Sequence, residues 1–192
     1  LTETHRQEKD LPRLLVWPES TFPAPIYKDA SAKELVSNFA KEERAHILLS
    51  TVDWEMQEDG SYRFFGISVL VNPDGEIAGR YNKIFLIPFG ESIPGSTWFP
   101  SWAAWLREMI PNISEFEAGH EFTAMPAGDV KISAPICFDG FSPEIIQRMV
   151  LNGANLIVLS GNLAWFGKSN AADYLEMITR WRSLENRVPV VF

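Results

Sequence analysis

The sequence predicts one α/β domain, and three observations lead there. Short apolar runs closed by Gly, Pro, Asn or Asp alternate with segments that carry helix caps and a 3.6-residue apolar period. The chain has 192 residues, 46% hydrophobic and 22% charged, which suits a globular domain with a sizeable core rather than a disordered segment. No internal repeat, low-complexity tract or linker divides it, so residues 1–192 read as a single domain.

Taken in order, residues 1–10 are polar and charged, a lead-in or the tail of a helix rather than a signal peptide. Leu11 to Trp17 is a short apolar strand ended by Pro18; Glu19 follows directly, then a Pro-rich loop to Pro25. Ser31-Ala32-Lys33-Glu34 has the form of a capping box, a hydroxyl for the free N–H groups and a glutamate to reach back. It opens an amphipathic helix to about Ala45 with Leu35, Val36, Phe39 and Ala40 on one face. His46 to Thr51 reads as a buried strand. Tyr62 to Val71 and Glu76 to Tyr81 form a hairpin about Asn72-Pro73-Asp74-Gly75, with Lys83 just beyond it. Residues 86–120 are rich in breakers and hold one amphipathic piece, Thr97 to Ile110. Glu121 to Met125 and Val130 to Ile136 are strands about Gly128-Asp129. A helix capped by Ser142, with Pro143 at its first position and Glu144 in its first turn, runs to Gly153. Asn155 to Ser160 is a buried strand, Asn170 to Asn186 a helix, and Val188 to Phe192 the start of a further strand. A chain that stops inside an apolar strand reads as an excerpt.

A net charge of −8 argues against attraction to nucleic acid or to anionic lipid. A single cysteine excludes an internal disulfide, and no apolar run approaches the length of a membrane-spanning helix.

That one cysteine, Cys137, ends the apolar run from Ile132 and stands just before the Ser142 helix signal. α/β enzymes keep nucleophiles in such strand-to-helix turns, where free backbone N–H groups can hold an oxyanion. A lone cysteine is more often inert packing, and the residues alone leave both readings open. A nucleophile also needs a base. His5, His46 and His120 are poorly placed for that, and one Cys with three scattered His gives no metal-ligand spacing, so no metal is expected. Carboxylates and lysines at strand ends remain. Glu19, Lys83 and Cys137 share one topological position, each just past a strand, and such ends can converge. A shielded Glu19 could take the thiol proton, while the Lys83 charge would favour first the thiolate and then the oxyanion.

Trp17-Pro18-Glu19, Tyr81-Asn82-Lys83-Ile84-Phe85-Leu86-Ile87-Pro88-Phe89-Gly90-Glu91 and Ile136-Cys137-Phe138-Asp139 resemble the three catalytic blocks of the nitrilase, or carbon–nitrogen hydrolase, superfamily. The middle block, with Asn162, Ala164-Trp165-Phe166-Gly167 and Arg182-x-x-Glu185-Asn186, resembles the apolipoprotein N-acyltransferase family within it. The resemblance runs from about residue 11 to 192. It implies a four-layer α-β-β-α sandwich, here truncated at both ends. It implies Glu19 as base, Lys83 as oxyanion partner and Cys137 as nucleophile, with Glu91 a further active-site glutamate. Phe138, Asp139, Asn162 and Trp165 fall at supporting or substrate-binding positions. The implied reaction needs no cofactor: an acyl chain passes from a phospholipid, through a thioester on Cys137, to the N-terminal amine of a diacylated lipoprotein. The implied setting is the bacterial inner membrane, with this domain on the periplasmic side and transmembrane helices in a segment outside this chain. Three positions depart from the family, Phe138 and Asp139 where Tyr-Glu is common and Leu163 where Asp is usual.

A soluble, cytoplasmic amidase with the same triad, using water as second nucleophile, is the alternative, and a pseudoenzyme the third reading. The cluster Trp98, Phe99, Trp102, Trp105 and Leu106 reads equally as core or as a surface resting at a lipid interface. For the triad, the expectation is that all three side chains meet at one end of the sheet and Glu91 borders the same cavity. Cys137 is expected partly exposed at the pocket floor, beneath a mouth that is apolar if the substrate is an acyl chain.

Overall fold

The alternation of side chains along two strands builds most of the architecture. The computed structural model describes residues 13–96, 98–110 and 115–192, apart from the side chain of Trp165. The expected lead-in, Leu11 and Pro12 of the first strand, Thr97 and the role given to the Trp165 ring lie outside the described residues. One sheet has the order β1 (Leu14–Val16), β2 (His46–Met56), β3 (Tyr62–Val71) and β4 (Ile77–Asn82). β1 runs parallel to β2, and the other pairs are antiparallel. The second sheet has the order β5 (Met125–Ala127), β6 (Val130–Ser133), β7 (Leu156–Val158) and β8 (Val190–Val191). The helices are α1 (Ala30–Glu43), α2 (Pro100–Met109), α3 (Pro143–Leu151) and α4 (Ala171–Asn186).

Ile47 and Leu49 of β2, with Ile67, Val69 and Val71 of β3, face Val36 and Ala40 of α1. Leu48 and Leu70, pointing the other way, meet Met125, Ala127, Ile132 and Val158 of the second sheet. On the far side of that sheet, Ile157 packs on Ile145, Ile146 and Met149 of α3. The layers therefore run α-β-β-α, as the family resemblance implies. Each fully buried aliphatic side chain in them contributes roughly 1.5–3 kcal/mol.

The two sheets approach closely at Gly79, where a Cβ would sit 2.5 Å from Cγ of Met125. Gly79→Ala is expected to force the sheets apart and cost about 1–3 kcal/mol, read as a lower urea midpoint with unchanged slope.

Several boundaries differ from the sequence expectation. Asp29, not Ser31, caps α1: its Oδ1 accepts from the N–H groups of Ser31 and Ala32 at 2.9 and 3.1 Å. Leu35 is 63% exposed, so the apolar face of α1 rests on Val36 and Ala40 instead. β2 continues to Met56 because β3 pairs with it down to Tyr62. The strand expected from Glu121 begins only at Met125. Upstream of it, side chains engage the backbone: Asn152 Nδ2 donates to the Phe122 carbonyl and Ser133 Oγ to that of Thr123. β6 stops at Ser133, before Pro135, which has no N–H for a ladder; Ile136 rejoins the sheet in a single bridge to Ser160. Of the aromatic cluster only Leu106 is buried, with Ala103 and Ile93. Trp98 is 82% exposed, and Phe99, Trp102 and Trp105 also lie at the surface, which overturns the core reading for the rings.

Candidate active site

β4 is two antiparallel steps from β2, and β1 is parallel to β2, so β1, β2 and β4 all point one way. The residues that follow β1 and β4, Glu19 and Lys83, therefore emerge at the same end of the first sheet. Cys137 reaches that end from the second sheet. Its N–H donates to the Ser160 carbonyl at 2.6 Å, which continues the parallel pairing beyond β6. The chain then turns sharply, with Cys137 at φ 49°, a left-handed conformation that a non-glycine residue adopts only when its surroundings impose it. A 3-10 turn, Cys137–Phe141, leads into α3. Ser142 caps that helix through Ile145 N–H, as the sequence predicts.

The three expected side chains meet, and Glu91 joins them. Cys137 and Glu19 lie close enough for each to act on the other's proton equilibrium. Lys83 Nζ lies 3.7 Å from Glu19 Oε1 and donates to Glu91 Oε1 at 2.7 Å. Glu91 is itself fixed, its Oε2 accepting from Ile87 N–H at 2.9 Å. Glu19 Oε2 accepts from the backbone N–H of Asn162 at 2.8 Å, while the Asn162 side chain caps Ala164. The Phe138 N–H, next along the turn, favours the thiolate of Cys137. Asp139 is fully buried beside these groups.

Charge and burial oppose one another here. Burial lifts the Glu19 carboxyl above the usual carboxylate range, and Lys83 and Asn162 N–H only partly offset it. Burial also works against the Lys83 charge. The hydrogen bond to Glu91 and the charges of Glu91 and Glu19 outweigh it, so Lys83 holds its proton more firmly than a free lysine. Burial first, then the Glu19 charge, push the thiol up to about 11 against the pull of Lys83.

Two cavities flank this cluster. One of about 280 Å³ is lined by Glu19, Lys83 and Glu91, with Phe22, Trp54 and Phe116 as walls. The other, about 160 Å³ and almost wholly apolar, is lined by Cys137 with Phe138, Phe141, Leu163, Phe166 and Leu175 among its walls. Cys137 is only 4% exposed and packs with Tyr81, Ile136 and Ile145, so the expectation of a partly exposed cysteine is corrected. The sequence reading also missed Ser50. It lines the larger cavity and bonds Ser160 Oγ at 3.0 Å across the two sheets. A serine inside an apolar buried strand needs a partner, and that was the available signal.

The carbon-nitrogen hydrolase family matches residues 10–192. The chain belongs to that family. Among curated relatives, an apolipoprotein N-acyltransferase of Geobacter metallireducens is 32% identical over 179 residues, covering 93% of this chain and 33% of its own length. One of Chlorobaculum tepidum is 28% identical, covering 91% of this chain and 36% of its own length. The chain thus spans about a third of the length of the curated relatives it matches. A carbon-nitrogen hydrolase from Helicobacter pylori G27 superposes with a TM-score of 0.67 at 21% identity, covering 98% of this chain and 61% of that one. An amidase from Nesterenkonia sp. does so with a TM-score of 0.63 at 16% identity, covering 93% and 62%. The solved structures establish the carbon-nitrogen hydrolase fold for this chain.

Proposed function

We propose that this chain is the catalytic part of an N-acyltransferase, moving an acyl chain from a phospholipid through a thioester on Cys137 to the N-terminal amine of a lipoprotein. The observation that carries this reading is the apolar cavity against Cys137, a place for a hydrocarbon chain that a small amide does not need. The names of the curated relatives support it.

In the first half-reaction Glu19 takes the thiol proton as the sulfur attacks the ester carbonyl. The Lys83 ammonium and Phe138 N–H stabilise the oxyanion, and the proton passes from Glu19 to the departing glycerol oxygen. In the second, Glu19 takes a proton from the attacking amine and returns it to the leaving sulfur. Ester to thioester to amide needs no cofactor. Among the described residues no helix is long and apolar enough to cross a membrane. The reading places this part of the enzyme on the periplasmic face of the inner membrane. The exposed rings of Trp98, Phe99, Trp102 and Trp105 would lie at the lipid boundary, where tryptophan is favoured.

Mass spectrometry of full-length protein incubated with phospholipid and no amine acceptor is expected to find the acyl mass on the peptide that contains Cys137. A diacylated lipopeptide should then remove it as an amide. No adduct, together with turnover of a small amide, would replace this reading with the amidase.

A further inference from the structure

Asp139 is the most completely engaged side chain among the described residues, and the reaction as written does not use it. It is 0% exposed. Its Oδ1 accepts from the backbone N–H groups of Ile84 and Phe85, at 3.2 and 2.7 Å. Its Oδ2 accepts from Tyr81 Oη at 2.7 Å and from Ile136 N–H at 2.9 Å. Tyr81, Ile84 and Phe85 bracket Lys83. Ile136 and Asp139 bracket Cys137. The first group lies at the end of β4 in one sheet, the second in the turn beyond β6 in the other. A single carboxylate therefore ties the two segments that carry the reacting cation and the reacting sulfur.

We propose that Asp139 is a positioning residue that sets the relation of Lys83 to Cys137 by clamping both backbones to one carboxylate. This rests on the function proposed above. The Lys83 backbone has two further ties, its N–H donating to Gly66 O at 2.9 Å and its carbonyl accepting from Gly119 N–H at 2.8 Å, but neither reaches the Cys137 turn. All four Asp139 partners donate, so the ionised carboxylate satisfies every one of them; burial raises the Asp139 pKa, and the donated bonds with the Lys83 charge partly offset it. Aspartate suits this position better than glutamate, because the short arm lets Oδ2 turn back onto Ile136 N–H within its own 3-10 turn.

The test compares Asp139→Asn and Tyr81→Phe with the unmodified full-length protein. Asparagine keeps the size but places an NH₂ where one acceptor stood, so it loses either the bonds from Ile84 and Phe85 N–H or the bond from Ile136 N–H. The rate constant for acylation of Cys137 by phospholipid is expected to fall about 100-fold in Asp139→Asn, the cost of a misplacement near 1 Å, with KM unchanged. Tyr81→Phe, which removes one donor and leaves the acceptors intact, is expected to lose less. The second readout is the pH dependence of iodoacetamide alkylation at Cys137, followed on its peptide. The charged groups acting on that sulfur are Glu19, Lys83 and Glu91. Loosening Lys83 weakens its pull on the thiolate, so the profile in Asp139→Asn should move to higher pH. A move to lower pH, the result of merely deleting a nearby negative charge, overturns the clamp. So does unchanged acylation, or a loss matching the drop in folded fraction by circular dichroism. If the unmodified protein takes no acyl group from phospholipid, the proposed function fails, and the alkylation profile still decides the clamp.

Discussion

Glu19→Gln is expected to slow acylation of Cys137 by about 1,000-fold in a protein that remains folded. With its thiol near 11, Cys137 is almost wholly protonated at neutral pH, so attack requires that the proton leave as the sulfur advances. Glu19 is the carboxylate that acts most strongly on that thiol. Glutamine keeps the volume, and its carbonyl can still accept from Asn162 N–H, yet it cannot take a proton. The pH profile gives an independent check. Glu19 works as a base only after losing its own proton, so the rate rises with pH through its pKa. Burial lifts that pKa, so the acid limb of the unmodified protein should lie above the usual carboxylate value of about 4.3. In Glu19→Gln the limb disappears. Rates of thioester formation measured by mass spectrometry across pH test both points, and an unchanged acid limb in Glu19→Gln would falsify the assignment of Glu19 as the base.

Lys83→Met should remove both activity and stability. The ammonium is 2% exposed and lies between the carboxylates of Glu19 and Glu91. Without it the oxyanion loses its nearest charge, a loss of about 100- to 1,000-fold in acylation. Two carboxylates in a largely buried site also lose their common counter-charge, at a cost of about 3 kcal/mol. The double variant Lys83→Met, Glu91→Gln separates the two effects: it should recover much of the urea midpoint and none of the acylation. Recovery of both would show that Lys83 only neutralises Glu91.

Much of the site was legible because its parts are local. The Ser142-Pro143 cap fixes where α3 begins, and so places Cys137 in a turn. Asn72 to Gly75 fixes the hairpin that delivers Lys83: Asn72 Oδ1 accepts from Asp74 and Glu76 N–H, and Gly75 takes φ 78°. What escaped depends on distant chain. Cys137 is buried in a cluster that draws in Tyr81, far upstream in the chain. Ser31 lost the cap of α1 to Asp29, whose carboxylate accepts from the N–H groups of Ser31 and Ala32 and from the Ser31 hydroxyl, starting the helix two residues earlier. The rings around Trp102 have helical spacing whether they face core or solvent, and only the short buried stripe of Ala103 and Leu106 decides which. The strand pattern of Glu121 to Ala124 was overridden by Ser133 and Asn152, which hold that backbone from outside the ladder.

The base and the cation come from one sheet and the sulfur from the other, and this bears on how the nascent chain survives its own chemistry. Before the sheets dock, Cys137 is an ordinary thiol with a few per cent thiolate at neutral pH, open to oxidants and stray electrophiles. Docking raises its pKa from 9.0 to about 11, which cuts the thiolate roughly 100-fold, and withdraws the sulfur from solvent. The same step brings the Glu19 carboxylate to its side. Maturation thus passivates the sulfur towards solutes in general and arms it towards a molecule that enters the cavity beside Glu19. Oxidative damage at Cys137 should accordingly mark chains that never closed, rather than enzyme that has aged.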